Sequence, residues 1–377
     1  MLLPDADQCR VHRRAGGRAA STEVRHRAEV RPPARGRTDG PRAARLAQRR
    51  TGRARKVGIC LPRPGRRGRA QGRPVGGRLG HTAAVPTRRT ILLGGAGAAA
   101  ALVGIGVGVE KDVLPGRTFA YTHLGLNGED GVIPDVEPGP VLEDSFTSAA
   151  RGGIDVGWSL ILPPGTDAST RLPVVVALHW LGADHATLTG PSLGLDRFLA
   201  QYVEDDGVPF AIAAPDGGRG YWHPHDGDDG GAMVTEELLP QLDGRGYDTR
   251  RVAYLGWSMG GYGALRLAGL RGPDATAGVV AASPALWRDA DEASRDGFDD
   301  ADEYRTYSIV DDQQQLAGIP VRIDIGKGDP FWFEVEDYAR GLYDESDQVH
   351  TDEPGGHTPG YWRRILPAQL QFLGGVI

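Results

Sequence analysis

Gly256-Trp257-Ser258-Met259-Gly260 lies between the apolar run Arg251-Val252-Ala253-Tyr254-Leu255 and the small-residue stretch Gly261-Tyr262-Gly263-Ala264-Leu265. This order predicts a strand, a sharp turn with Ser258 at its apex, and a helix. A turn so tight presses the residues two before and two after the serine against the neighbouring strand and helix. Both must then lack a side chain, and Gly256 and Gly260 occupy those two places. The turn lifts the serine hydroxyl out of the sheet. It also leaves the Met259 backbone N–H at a helix N-terminus, where negative charge is stabilised. A nucleophile and half an oxyanion hole follow from five residues. The bare pattern arises readily by chance in a chain with 56 glycines; the strand before it and the helix after it give it weight.

Outward from this turn, strand and helix patterns alternate. Pro173 to Leu178 is a short continuous apolar run ending at His179, as expected of a strand buried on both faces; Phe210 to Ala214, Val252 to Leu255, Val279 to Ala282 and Val321 to Ile325 repeat the pattern. Helical spacing appears over Leu193 to Val203, Ala232 to Leu242, Met259 to Leu270, Phe331 to Leu342 and Tyr361 to Phe372. Ser145 to Ala149 and Ile154 to Leu162 flank Ala150-Arg151-Gly152-Gly153, which predicts an antiparallel hairpin. The fold class is therefore α/β, a mostly parallel central sheet with helices on both faces and an N-terminal antiparallel hairpin. Function in such sheets gathers at the carboxyl ends of the strands.

A serine hydroxyl is a poor nucleophile until a base takes its proton, and the base needs a carboxylate to fix its tautomer. After Ser258 the chain has only His350 and His357. His357 lies in the flexible turn Pro354-Gly355-Gly356-His357-Thr358-Pro359-Gly360 ahead of the last helical stretch, and is favoured as base; His350, at the end of an expected last strand, suits a structural role. Asp329 follows a strand through Gly326-Lys327-Gly328 and is favoured as the acid over Asp324, which lies within that strand, and over Glu334 and Glu336 on the next helix. The order Ser258, Asp329, His357 is the one this fold uses. The second oxyanion donor is expected from Leu178-His179-Trp180-Leu181-Gly182, at the backbone N–H of Trp180 or Leu181. His179 itself is suited to order this loop by hydrogen bonding. It is counted with Trp222 and His223, from the aromatic loop Tyr221-Trp222-His223-Pro224-His225, among the candidate pocket residues. His223, His225, Asp226, Asp228 and Asp229 offer metal-ligand chemistry, but an acidic surface turn accounts for the run better, and no metal or cofactor is expected.

The elbow Gly256 to Gly261, the segment Gly326-Lys327-Gly328-Asp329-Pro330-Phe331, and Gly356-His357 with Tyr361-Trp362 behind it resemble the esterase family of α/β-hydrolases that includes esterase D (S-formylglutathione hydrolase) and the actinobacterial mycolyltransferases. The resemblance spans nearly all of residues 145–373. It implies an α/β-hydrolase fold, with Ser258 as nucleophile, Asp329 as acid, His357 as base and Met259 as oxyanion donor. One departure stands out: the family commonly has His-Gly where this chain has His179-Trp180, so Trp180 is expected to reshape the oxyanion loop or acyl pocket and narrow substrate choice.

The rest of the chain has another character. Residues 1–89 hold 24 of the 43 Lys/Arg but 5 of the 49 Asp/Glu, leaving 19 basic and 44 acidic residues beyond. Clustered arginines suit a disordered nucleic-acid-binding arm, yet the Arg/Gly/Pro-rich stretch 1–86 fits better an extension that is untranslated or disordered, and no nucleic-acid partner is expected. Thr87-Arg88-Arg89-Thr90-Ile91-Leu92-Leu93 and the Gly/Ala-rich run behind it, within residues 87–111, resemble a twin-arginine export signal. A start at Val85 would place those arginines near the N-terminus. Residues 91–109 can alternatively serve as a membrane tether, being just long enough to span a bilayer. The expectation is an enzyme exported through the twin-arginine machinery, extracellular or attached to the envelope. Cys9 and Cys60 fall in the arginine-rich stretch, so no disulfide or thiolate chemistry is available beyond it.

Residues 112–144, rich in Gly and Pro, are expected as a lead-in packed on the surface of a catalytic domain over 145–377. The predicted function is serine carboxylic-ester hydrolysis through an acyl-enzyme, on a small-molecule, lipid or carbohydrate ester. Acyl transfer to a cell-envelope carbohydrate is the near alternative. A non-catalytic envelope-binding module on a hydrolase scaffold is the distant one.

Overall fold

The computed structural model describes residues 116–167, 169–342 and 346–377. The extension, the twin-arginine-like segment and the tether expected from the sequence lie outside them. No helix among the described residues is long and apolar enough to cross a membrane.

In chain order the elements are α1 (Arg117–His123), β1 (Val141–Ser148), β2 (Ile154–Ile161), β3 (Pro173–Leu178), α2 (His185–Thr189), α3 (Leu195–Glu204), β4 (Ala211–Pro215), β5 (Pro224–His225), β6 (Asp228–Asp229), α4 (Gly230–Ala232), a π-helical turn (Met233–Leu238) and α5 (Leu239–Gly244). Then come β7 (Asp248–Trp257), α6 (Met259–Arg271), β8 (Thr276–Ala282), α7 (Ala301–Tyr307), a 3-10 turn (Gln313–Leu316), β9 (Val321–Asp324), α8 (Trp332–Ala339), β10 (Gln348–His350) and α9 (Pro359–Val376).

Eight strands form one sheet in the order β1-β2-β4-β3-β7-β8-β9-β10. The β1/β2 hairpin is antiparallel and β2 also runs antiparallel to β4, whereas every pairing from β4 to β10 is parallel. The apolar runs produce this because alternate residues of a strand face opposite ways. In β3, Val174, Val176 and Leu178 enter one core with α5, α6 and α8, while Val175 and Ala177 enter the other with α3 and α9. Both faces of the sheet are dry, as continuous apolar strands require.

Three segments depart from the sequence expectation. The hairpin opens at Val141, ahead of Ser145, because the polar run Glu143-Asp144-Ser145 pairs along an exposed edge where no apolar alternation is needed. The helix expected over Ala232 to Leu242 is broken into α4, the π turn and α5; Pro240 has no N–H to complete an α-helical bond, and the chain widens just before it. Between β8 and β9 the chain makes a long excursion that carries α7, and no apolar periodicity announces it.

Candidate active site

β7, near the middle of the sheet, delivers Ser258 at its carboxyl end. The serine has φ 55 and ψ −116, a conformation side chains other than glycine's rarely adopt. It is held there on three sides: its N–H donates to the Ala282 carbonyl (2.9 Å), and its carbonyl accepts from Tyr262 (3.0 Å) and Ala285 (3.1 Å). A methyl group on Gly256 would collide with the Gly260 carbonyl, and one on Gly260 with the carbonyl of Leu178. The elbow therefore sits flush against the end of β3 and depends on both glycines.

Asp329 and His357 arrive on two loops that touch backbone to backbone. The loop after β9 and the loop before α9 cross where a methyl on Gly326 would strike Gly355. Lys327 N–H donates to the Glu353 carbonyl (2.9 Å) and Gly328 N–H to that of Gly355 (2.7 Å). This crossing brings Asp329 and His357 together. Nδ1 of His357 lies 2.8 Å from Asp329 Oδ2, and Nε2 lies 2.8 Å from Ser258 Oγ. Asp329 is 2 % exposed, and its other oxygen accepts the Phe331 N–H at 3.0 Å. With a carboxylate at Nδ1, that nitrogen carries the proton and Nε2 presents a lone pair to the serine hydroxyl.

The four carboxylates and two histidines weighed in the sequence are thus separated. Asp324 pairs with Arg322 (2.7 Å) and accepts from Gln369 Nε2 (2.8 Å), buried in the sheet. His350 lies on edge strand β10, its carbonyl taken by Ile325 N–H (2.9 Å). Glu334 and Glu336 are on α8.

Met259 is the first residue of α6, where a helix leaves its N–H unpaired, and it lies next to Ser258. Trp180 and Leu181 follow β3 directly, beside the elbow that Gly260 presses onto Leu178 and His179. His179 organises this loop. Its Nδ1 bonds the Trp180 carbonyl (2.8 Å) and its Nε2 accepts the Gly217 N–H (2.9 Å), so both ring nitrogens are used. Burial holds its pKa below the ordinary histidine value, which keeps the ring neutral for this pair of bonds.

His179, Trp222 and His223 do not line the pocket as expected from the sequence. None is more than 1 % exposed. The excursion between β8 and β9 covers His223, whose ring stacks on Tyr307 (4.5 Å between centroids) and lies 4.9 Å from Phe298, while Trp222 packs edge-on against His179 at 5.2 Å. The residues that flank His357 instead are Phe331 and Trp362, each 5.3 Å from it, with Trp287 beside Phe331 at 5.4 Å and Trp180 beside Trp362 at 5.1 Å. Trp287 has no counterpart among the residues expected from the sequence, although its place just past the carboxyl end of β8 marks it as a candidate. The acidic run also disperses. Asp228 pairs with Arg151 (2.7 Å), Asp229 caps the Ala232 N–H (2.8 Å), and only His225 and Asp226, with Asp299, bring ligand atoms within 4.8 Å of one another. A cleft of about 500 Å³ between α3, α9 and the lead-in opens at the amino end of β4, the edge of the sheet opposite to Ser258.

A mixed sheet of this order, with a serine elbow after β7 and a histidine loop after the last strand, defines an α/β-hydrolase. The sequence matches the family described as Putative esterase over residues 150–373. The chain belongs to that family and is a carboxylic-ester hydrolase. No curated protein sequence matches it. Among solved structures it is similar to a ferulic acid esterase (19 % identity, 63 % of this chain and 99 % of that one, TM-score 0.54). It is also similar to FphF, a fluorophosphonate-binding serine hydrolase of Staphylococcus aureus (18 %, 63 % and 99 %, TM-score 0.51). A third is an S-formylglutathione hydrolase from Agrobacterium tumefaciens (18 %, 66 % and 98 %, TM-score 0.51).

Proposed function

We propose that the enzyme cleaves esters through an acyl-enzyme on Ser258, with His357 as general base and Asp329 as the orienting acid. The observation that carries this is the unbroken chain of 2.8 Å contacts from Ser258 Oγ through the imidazole to Asp329. His357 Nε2 takes the hydroxyl proton as Oγ attacks the acyl carbonyl, and Asp329 stabilises the imidazolium. The carbonyl oxygen becomes an oxyanion, met by the N–H of Met259 and that of Trp180 or Leu181. His357 then returns its proton to the departing alkoxide, and the same base activates water to release the acid. No step requires a cofactor.

The half-buried Trp180, Trp287 and Phe331 beside the base support a substrate whose acyl or alcohol part is apolar. A panel of chromogenic esters graded in acyl length and including aryl acyl groups, run with wild type and Ser258→Ala, tests the reading. Turnover must vanish in the variant while its unfolding transition persists; activity retained by Ser258→Ala refutes it. Carbohydrate alcohols added to the same assay separate transfer from hydrolysis.

A further inference from the structure

Asn127 lies ahead of β1, in the lead-in segment, and its side chain rests on the two glycines that immediately precede Asp329 and His357. A methyl group on Gly328 would collide with Asn127 Oδ1. One on Gly356 would stand 2.9 Å from Asn127 Nδ2, and its three nearest atoms would all belong to that amide. The segment is fastened around this point. Arg364 Nη1 donates to the carbonyls of Asn127 (3.1 Å) and Glu129 (2.7 Å), and its Nη2 donates to that of Pro354 in the His357 loop. Gly131 N–H donates to the Gly360 carbonyl (2.8 Å), and Gly131 accepts from Arg363 Nε (2.6 Å).

Asn127 Oδ1 is buried and accepts no hydrogen bond among the described residues. Such an orphaned acceptor costs stability. A smaller apolar side chain would escape that cost but leave the gap between the two loops unfilled. The loops are otherwise tied by the backbone bonds of Lys327 and Gly328 and by the Asp329–His357 contact itself.

We propose that Asn127 is a positioning residue. Its amide is the spacer between the acid loop and the base loop, and it thereby sets His357 against both Ser258 and Asp329. The inference rests on the triad reading above. Displacing a catalytic group by a fraction of an ångström costs rate while leaving substrate affinity largely intact, so the effect falls on kcat.

The test is a double-mutant cycle in the full chain with Asn127→Ala, Gly356→Ala and the pair, read as kcat, KM and thermal unfolding on one short-chain ester, with Ser258→Ala as control. Asn127→Ala is expected to lower kcat about tenfold with KM within about twofold of wild type. Gly356→Ala alone is expected to lower kcat further, because its methyl presses on the amide. In the Asn127→Ala background the same methyl enters vacated space, so its effect shrinks severalfold. Wild-type kcat in Asn127→Ala, or a Gly356→Ala loss that is the same in both backgrounds, overturns the inference while leaving the triad intact. Turnover surviving in Ser258→Ala removes the triad and the inference with it. Should Asn127→Ala not fold, Asn127→Ser, which also vacates the contact, takes its place in the cycle.

Discussion

Trp362, in the first turn of α9, meets the His357 ring edge-on with centroids 5.3 Å apart, and Trp180 packs against it at 5.1 Å. The loop carrying the expected oxyanion donors is thus braced against the helix that follows His357. Trp180 is half-buried in a loop that adjoins the elbow, and removing its ring frees volume there. Trp180→Gly is expected to raise kcat/KM for branched or long acyl chains relative to acetyl by about tenfold, within the ~1–3 kcal/mol that a hydrophobic pocket discriminates. An ester panel measures the ratio; an unchanged ratio with lowered stability would assign Trp180 to packing alone.

The elbow predicts opposite effects on rate and stability. Ser258 holds φ 55 and ψ −116, strained for any residue with a side chain and relaxed for glycine. Ser258→Gly and Ser258→Ala are both expected to lose kcat by about 10⁶-fold. The glycine variant should nevertheless be more stable than the alanine variant by ~1 kcal/mol, or about 2–4 °C in Tm for a domain of this size. Paired thermal melts decide this, and equal Tm values would show that the surrounding bonds, not the backbone, carry the strain.

How much of this was legible beforehand follows from which contacts are local. Gly256 and Gly260 announce the elbow because its sterics lie within five residues. Asp329 and His357 are legible because each sits in a glycine-rich loop next to a strand or helix with a clear apolar period. Asn127 carried no such signal: the lead-in has no periodicity, and its anchoring bond to Arg364 spans 237 residues. Trp222 and His223 look like a pocket wall in sequence. In the fold both rings are interior, His223 beneath the excursion bearing Phe298 and Tyr307 and Trp222 against His179.

Two buried aspartates at the end of β9 make a further contrast. Asp329 faces His357, whereas Asp324 is held by Arg322 and Gln369. Asp329→Asn removes the partner that fixes the imidazole tautomer and is expected to cut kcat by about 10⁴-fold with little change in stability. Asp324→Ala strands a buried guanidinium, so it should cost ~3–5 kcal/mol of stability, with kcat of the folded fraction within a few-fold of wild type. Kinetics and urea unfolding on both variants check this, and the reverse assignment would exchange the roles of the two carboxylates.

His223 gives the fold an acid limit. Burial among Tyr262, Phe298 and Tyr307 holds its pKa down to about 4 from the ordinary 6.5, with Arg266 and His225 also disfavouring the cation and the Pro224 carbonyl and Glu303 opposing them. Well above pH 6.5 the ring is neutral folded or unfolded and pH has no purchase on it. Between 6.5 and about 4 the unfolded chain takes up a proton that the folded chain refuses, so stability falls as the pH falls, by up to about 3 kcal/mol. His225, raised by its bond to Glu303 (2.7 Å), works the other way: its contribution is complete below the unfolded value and is lost as pH rises through the folded one. His223→Phe keeps an aromatic ring against Tyr307 and removes the titration. The stability difference between wild type and His223→Phe, from urea unfolding at stepped pH, should therefore shift against wild type as the pH drops from 6.5 towards 4. The carboxylates common to both proteins cancel in that difference. A difference that stays flat over this window would mean that the folded protein opens around His223 and lets it protonate as freely as the unfolded chain does.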